Sequence, residues 1–126
     1  MTPDLSPTDV VAFWRQAGPD KWFAKDDAFD AALKARFLDL HFAAARRELD
    51  AHMATPEGAL GVILLLDQIP RNVFRGGAHA YATDALALSL ARTAVAAGHD
   101  RATPDDLRVF FYLPYEHSER VEDLDD

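Results

Sequence analysis

Two short stretches hold most of the side chains able to do chemistry. The first is Leu65-Leu66-Asp67-Gln68-Ile69-Pro70-Arg71-Asn72-Val73-Phe74-Arg75, and the second is Tyr112-Leu113-Pro114-Tyr115-Glu116-His117-Ser118-Glu119. Asp67 ends the most apolar run of the chain near a helix C-terminus, where the dipole disfavours negative charge, so it needs a partner. Arg71 follows four residues later and Arg75 four after that, which puts one or two guanidinium forks within reach. In one reading, Asp67, Gln68, Arg71 and Asn72 satisfy exposed carbonyls and pin the next loop, as buried polar groups usually do. In the other, Arg71, Arg75 and Arg108 leave donors free in a cleft and accept a carboxylate or phosphate. A paired arginine and a ligand-ready one look the same in sequence, so the spacing leaves both open.

Glu116, His117, Ser118 and Glu119 stand just after Pro114, in the first turn of a last helix, where carboxylates are favourable. His117 with Glu116 is an acid/base pair in reach of other helices. There is no Glu-x-x-His pair and no second cluster of that kind, so neither a metal nor another cofactor is assigned. Ser118 lacks the flanking glycines and preceding strand of a nucleophile elbow and reads as a cap or a core hydrogen bond. His41, His52, His79 and His99 lie apart and read as structural. Asp84, near a helix start, is a dipole partner before it is a catalytic carboxylate. The pair Trp22-Phe23 either locks its loop onto the core, the reading preferred, or forms a recognition surface.

The elements that must position these residues are helices. Ser6-Pro7-Thr8-Asp9, Thr55-Pro56-Glu57-Gly58 and Thr103-Pro104-Asp105-Asp106 repeat one start grammar: a capping hydroxyl, proline at the first helical position, then acid at the positive end of the dipole. Gly18, Gly76 and Gly98 suit left-handed C-terminal caps. Phe29, Leu33, Phe37, Leu40 and Ala44 recur at helical spacing, as do Leu86, Leu90, Ala94 and Ala97. The pattern predicts helices over about 7–17, 26–52, 56–69, 79–97, 104–113 and 115–123, and no strand signal competes. Gly58 to Leu66 is apolar nearly all round, which predicts a central helix, and Gly61 within it predicts a close neighbour.

Composition narrows the function classes. A chain of 126 residues that is 49% hydrophobic makes one domain, 1–126, able to fold without staples. The absence of cysteine excludes disulfides, thiolate metal sites and a cysteine nucleophile, and the expected compartment is the cytoplasm. No apolar run reaches the roughly 18 residues of a membrane span, and the start lacks the pattern of a signal peptide. A formal charge of −8 argues against nucleic acid. Residues 116–126 carry −5 of it, an acidic end expected to fray or to serve oligomerisation.

Taken together, Phe13-Trp14, Gly18-Pro19, Trp22-Phe23, Lys25-Asp26, Phe29-Asp30, Arg36-Phe37, Asp67-Gln68-Ile69-Pro70-Arg71-Asn72, Thr83-Asp84, Gly98-His99-Asp100 and Tyr112-Leu113-Pro114-Tyr115-Glu116-His117-Ser118-Glu119 resemble a bacterial family known as domain-of-unknown-function family 924. The resemblance spans about residues 11–119. It implies an all-α fold of stacked antiparallel helix hairpins, tetratricopeptide-like, with about six helices, and it implies no activity, cofactor or catalytic residue. Relative to the family pattern, His52 stands where Trp is frequent and Arg47 where Gly is usual. Typical members continue into further helices, so this chain looks like a shortened array whose uncovered face is expected to form a homodimer. The leading expectation is an interaction module whose groove, with Arg71, Asn72, Arg75 and Tyr112, grips a protein or peptide. The alternative is a small-molecule binder or enzyme that uses His117 and Glu116.

Overall fold

The computed structural model describes residues 5–117. Every regular element among them is helical: α1 (Pro7–Ala17), α2 (Pro19–Trp22), α3 (Asp27–Ala45), α4 (Pro56–Asp67), α5 (Ile69–Val73), α6 (Asp84–Ala96) and α7 (Asp105–Arg108), with 3-10 turns at Asp50–Ala54, Ala78–Tyr81 and Val109–Phe111. Residues 113–117 are helical as well. Ser118, Glu119 and the rest of the acidic end lie outside the described residues. None of the described helices is long and apolar enough to cross a membrane.

The start grammar works at two of its three sites. The Asp9 carboxylate turns back to accept from the Ser6 N–H at 2.7 Å, and the Thr55 hydroxyl accepts from the Gly58 N–H at 3.1 Å. At the third site Pro104 is itself the N-cap, and the Thr103 hydroxyl donates backwards to the His99 carbonyl at 2.8 Å. Gly18, Gly76 and Gly98 all take positive φ, though Gly18, with ψ 170°, is extended rather than left-handed helical, and the cap of α5 is Phe74 instead of Gly76.

Three expected helices are broken. The segment expected over 26–52 stops at Ala45, because Arg47 adopts φ 67°. The N–H groups of Arg47 and Glu48 then reach back to the carbonyls of Ala44 and Ala43, both at 3.0 Å, closing a Schellman cap. The segment expected over 79–97 opens with a 3-10 turn, and α6 begins only at Asp84. The segment expected over 104–113 is one α-turn followed by a 3-10 turn. Conversely, Pro70 does not end its helix: after a break at Gln68, α5 carries the chain on to Val73.

The all-round apolar helix α4 is buried along its length from Gly58 to Asp67. It packs against α1, α3, α6 and the turns at 50–54 and 109–111, as its composition predicts. A Cβ at Gly61 would overlap the Pro7 carbonyl, so α1 crosses there and the position has no room for a side chain. At the α1 end, the indoles of Trp14 and Trp22 lie parallel with centroids 6.0 Å apart, and the Trp22 Nε1–H donates to the Trp14 carbonyl at 2.6 Å. Trp22 is the lock expected of its loop, whereas its neighbour Phe23 is 65% exposed.

Candidate functional site

The site begins as a backbone problem. Pro70 has no N–H to offer the Leu66 carbonyl, and the break at Gln68 turns this end of α4 away from regular helix. Side chains gathered from other elements answer the carbonyls. His41 of α3 donates from Nδ1 to the Leu65 carbonyl at 2.7 Å, the Thr83 hydroxyl donates to the Leu66 carbonyl at 2.6 Å, and Arg71 Nη1 donates to the Asp67 carbonyl at 2.7 Å. The kink thereby draws α3, α5 and the start of α6 onto the C-terminal end of α4.

Asp67 sits at the centre of this junction with its side chain 1% exposed. Its Oδ1 accepts from Arg71 Nη1 at 3.2 Å and from His117 Nδ1 at 2.8 Å, and its Oδ2 accepts from Gln68 Nε2 at 2.9 Å. Arg71 is shared: Nη1 and Nη2 also grip the two oxygens of Asp84 at 2.8 and 2.9 Å. The Tyr81 ring faces the guanidinium at 5.2 Å. Asp84 therefore does more than complement a dipole, since it holds the arginine against Asp67. The ligating atoms of Asp67, Asp84 and His117 lie within 4.8 Å of one another, close enough for a metal ion. Arg71 already spans the two carboxylates, so an ion there would have to displace its guanidinium.

The other predicted residues separate into distinct pairs. Asn72 and Arg75 both turn to Asp30, at 3.1 and 2.6 Å, and Arg75 also donates to the Ala24 carbonyl at 3.0 Å. Tyr112 donates its hydroxyl to Asp100 at 2.6 Å. That bond holds the Asp100 carboxyl below the usual carboxylate range and pushes the Tyr112 phenol up. Arg108 donates to the carbonyls of Asp100 and Thr103 and pairs with Asp105. Glu116 is exposed, and His117 bonds Asp67 instead of Glu116. The structure thus brings Asp67, Gln68, Arg71 and His117 together, and sets Asn72 and Arg75 jointly on Asp30 and Tyr112 on Asp100.

A second polar contact borders this junction. His41, fully buried, faces His79 with their Nε2 atoms 3.0 Å apart. Because the Leu65 carbonyl can only accept, the His41 proton is on Nδ1, and in the neutral ring its Nε2 accepts from His79 Nε2–H. Burial holds the His41 pKa below the ordinary imidazole value, and the adjacent His79 lowers it further, against the opposing pull of the Leu65 bond. Sequence reasoning missed Asp30, Thr83 and Tyr81, gave His41 only a structural role, and took Asp84 as a dipole partner first and a catalytic carboxylate second. The one available signal was that Phe29-Asp30 and Thr83-Asp84 stood among the strings that carried the family resemblance.

Residues 10–126 match the family described as "Bacterial protein of unknown function (DUF924)". Among solved structures, the chain is similar to a protein of unknown function from Agrobacterium tumefaciens, with 59% identity and a TM-score of 0.87 over 88% of this chain. The similarity covers 63% of that longer chain. No curated protein matches.

Proposed function

The chain belongs to this bacterial family of unknown function, and from its geometry we propose that it binds a small molecule at an acid/base site in which His117 moves a proton at Nε2. The carrying observation is the 2.8 Å bond from His117 Nδ1 to the buried Asp67 carboxylate. A carboxylate accepts, so the neutral imidazole keeps its proton on Nδ1 and has its lone pair on Nε2. No described residue bonds that Nε2, and the His117 side chain is 13% exposed, enough for contact with a small solute. Asp67 serves as the orienting group, in place of Glu116 as the partner of His117.

Charge sets the kind of substrate. Asp67 and Asp84 carry two negative charges against the single positive charge of Arg71, and both carboxylates take that guanidinium. This balance favours a neutral or cationic group, a hydroxyl, an amine or water, over the carboxylate or phosphate expected of a free arginine clamp. Incubation of the purified chain with a fractionated metabolite extract, followed by mass spectrometry, tests the reading. Wild type should consume a compound that His117→Gln leaves untouched. Asp67→Asn, which disturbs the tautomer, should slow the reaction by roughly 10²–10⁴-fold. Identical profiles from wild type and His117→Gln would sink the proposal.

A tetratricopeptide-like interaction module, dimeric or bound to a peptide, is the second reading, and the exposure of Phe23 and Tyr81, 65% and 62%, favours it. Sedimentation at micromolar concentration should then show a dimer that Phe23→Ser or Tyr81→Ser dissociates. A monomer throughout removes the dimer from this reading.

A further inference from the structure

We propose that His41 and His79 form a two-coordinate site for Cu(I), with the ion on the line between their Nε2 atoms. The two rings meet at 86°, and their centroids stand 5.2 Å apart against 3.0 Å between the nitrogens. The difference is almost the sum of two ring radii, so the nitrogens point at each other head-on. That is the linear arrangement of a two-coordinate d¹⁰ ion, and the single N–H···N bond of the ion-free pair lies on the same axis. The site shares no residue with the Asp67 cluster, so this inference stands independently of the acid/base reading.

The buried half of the site is fixed in advance. His41 is fully buried and donates from Nδ1 to the Leu65 carbonyl at 2.7 Å, which leaves its Nε2 with a lone pair to offer. A backbone carbonyl on the far nitrogen is the support that metal-ligating histidines use. His79 is the half that adjusts. It is partly buried, on the 3-10 turn Ala78–Tyr81 that follows the exposed Gly76-Gly77. When its proton moves from Nε2 to Nδ1, two lone pairs face one point and no net proton is released. Two metal–nitrogen bonds of roughly 2 Å make a linear span of about 4 Å, so the His79 ring has to withdraw by about 1 Å.

The surroundings choose the ion. Phe42 and Phe74 stand beside both imidazoles, with centroid separations between 4.5 and 6.0 Å. Among the described residues no carboxylate or third histidine joins the pair at ligating distance. A divalent ion would therefore bring two charges into apolar surroundings with no anion to answer them, and with half or more of its ligands missing. A soft monovalent ion held by two imidazoles needs neither, which singles out Cu(I).

Anaerobic titration of the purified chain with Cu(I) against a chromophoric chelator tests this, joined by copper K-edge absorption and ¹⁵N NMR of the imidazoles on the complex. One Cu(I) should bind per chain, with two nitrogen neighbours, and both His41 and His79 should carry their remaining proton on Nδ1. His79→Gln, whose amide can still donate to His41 Nε2 and so keep the junction closed, should weaken Cu(I) by at least about 100-fold, more than loss of a supporting contact does. The imidazole NMR of wild type keeps the test independent of how well that variant folds. His117→Gln should leave Cu(I) binding unchanged, which separates failure here from failure of the acid/base site. The chain has no cysteine, so the soft competitors are the thioethers of Met1 and Met53. The proposal is overturned by a sulfur or a third neighbour in the absorption spectrum, by His79→Gln binding like wild type, by imidazole signals of His41 and His79 that Cu(I) leaves unchanged, or by Zn(II) binding as tightly as Cu(I).

Discussion

Asp67 is a carboxylate withdrawn from water, and its three partners differ in what they supply. Gln68 offers a neutral donor, His117 an imidazole N–H, and Arg71 the only permanent positive charge. Removal of one partner of a buried pair leaves the other charged and unanswered, which costs more than the pair itself contributes. Arg71→Ala is therefore expected to destabilise the fold by about 3–5 kcal/mol in urea denaturation, whereas Asp84→Asn, which leaves Arg71 on Asp67, should cost clearly less. If Arg71→Ala costs no more than the loss of the exposed Arg46–Glu48 pair, Asp67 does not depend on the guanidinium. The Asp67–Arg71 bond was legible in the sequence because both lie on one helical path at spacing four. Its extensions were not. Asp84 is thirteen residues from Arg71, His117 fifty from Asp67 and Asp30 forty-five from Arg75, and only the packing of separate helices selects such partners.

At the scale of elements, what the sequence carried best were helix identity and starts, and what it carried worst were ends. Periodicity and proline-led caps are local signals, so α1 and α4 begin where the residues say. The end of α3 hangs on a backbone conformation that Arg47 does not advertise. Glycine takes a left-handed φ at little steric cost, and an arginine there signals continued helix instead. The family resemblance held the clue, since glycine is usual at that position. Arg47 is kept in place by the Schellman bonds and by its own pair with Asp50. Replacement by glycine relieves the strain of one left-handed residue, roughly 1–2 kcal/mol, and gives back part of it in backbone entropy. Arg47→Gly should accordingly stabilise the fold by about 0.5–1 kcal/mol, seen as a raised Tm with unchanged helical circular dichroism. A lowered Tm would mean that the Asp50 pair outweighs the strain.

Across the whole molecule, the kinked end of α4 is where distant parts of the chain are tied together, and its stability is therefore tied to pH through His41. That ring is buried between the Leu65 carbonyl and His79, with only one proton to share between the facing Nε2 atoms. In the unfolded chain the imidazole titrates near 6.5, and in the fold its pKa is lower. Because the unfolded state takes up this proton first, the stability tied to neutral His41 is fully present above about pH 6.5 and declines as pH falls toward the folded value. While His41 stays neutral in the fold, the loss approaches about 1.4 kcal/mol for each further pH unit. Asp26, Glu48 and Asp100, whose carboxyls are held below their ordinary range, act in a separate and more acidic window, where stability falls as pH drops through their folded values. The Tm should thus fall between about pH 7.5 and about pH 5.5, before those carboxylates titrate. His41→Asn provides the control, because its amide can still donate to the Leu65 carbonyl but carries no titratable nitrogen. The variant should be less stable at neutral pH and flatter across this interval. A parallel fall in both proteins would place the acid sensitivity at groups other than His41.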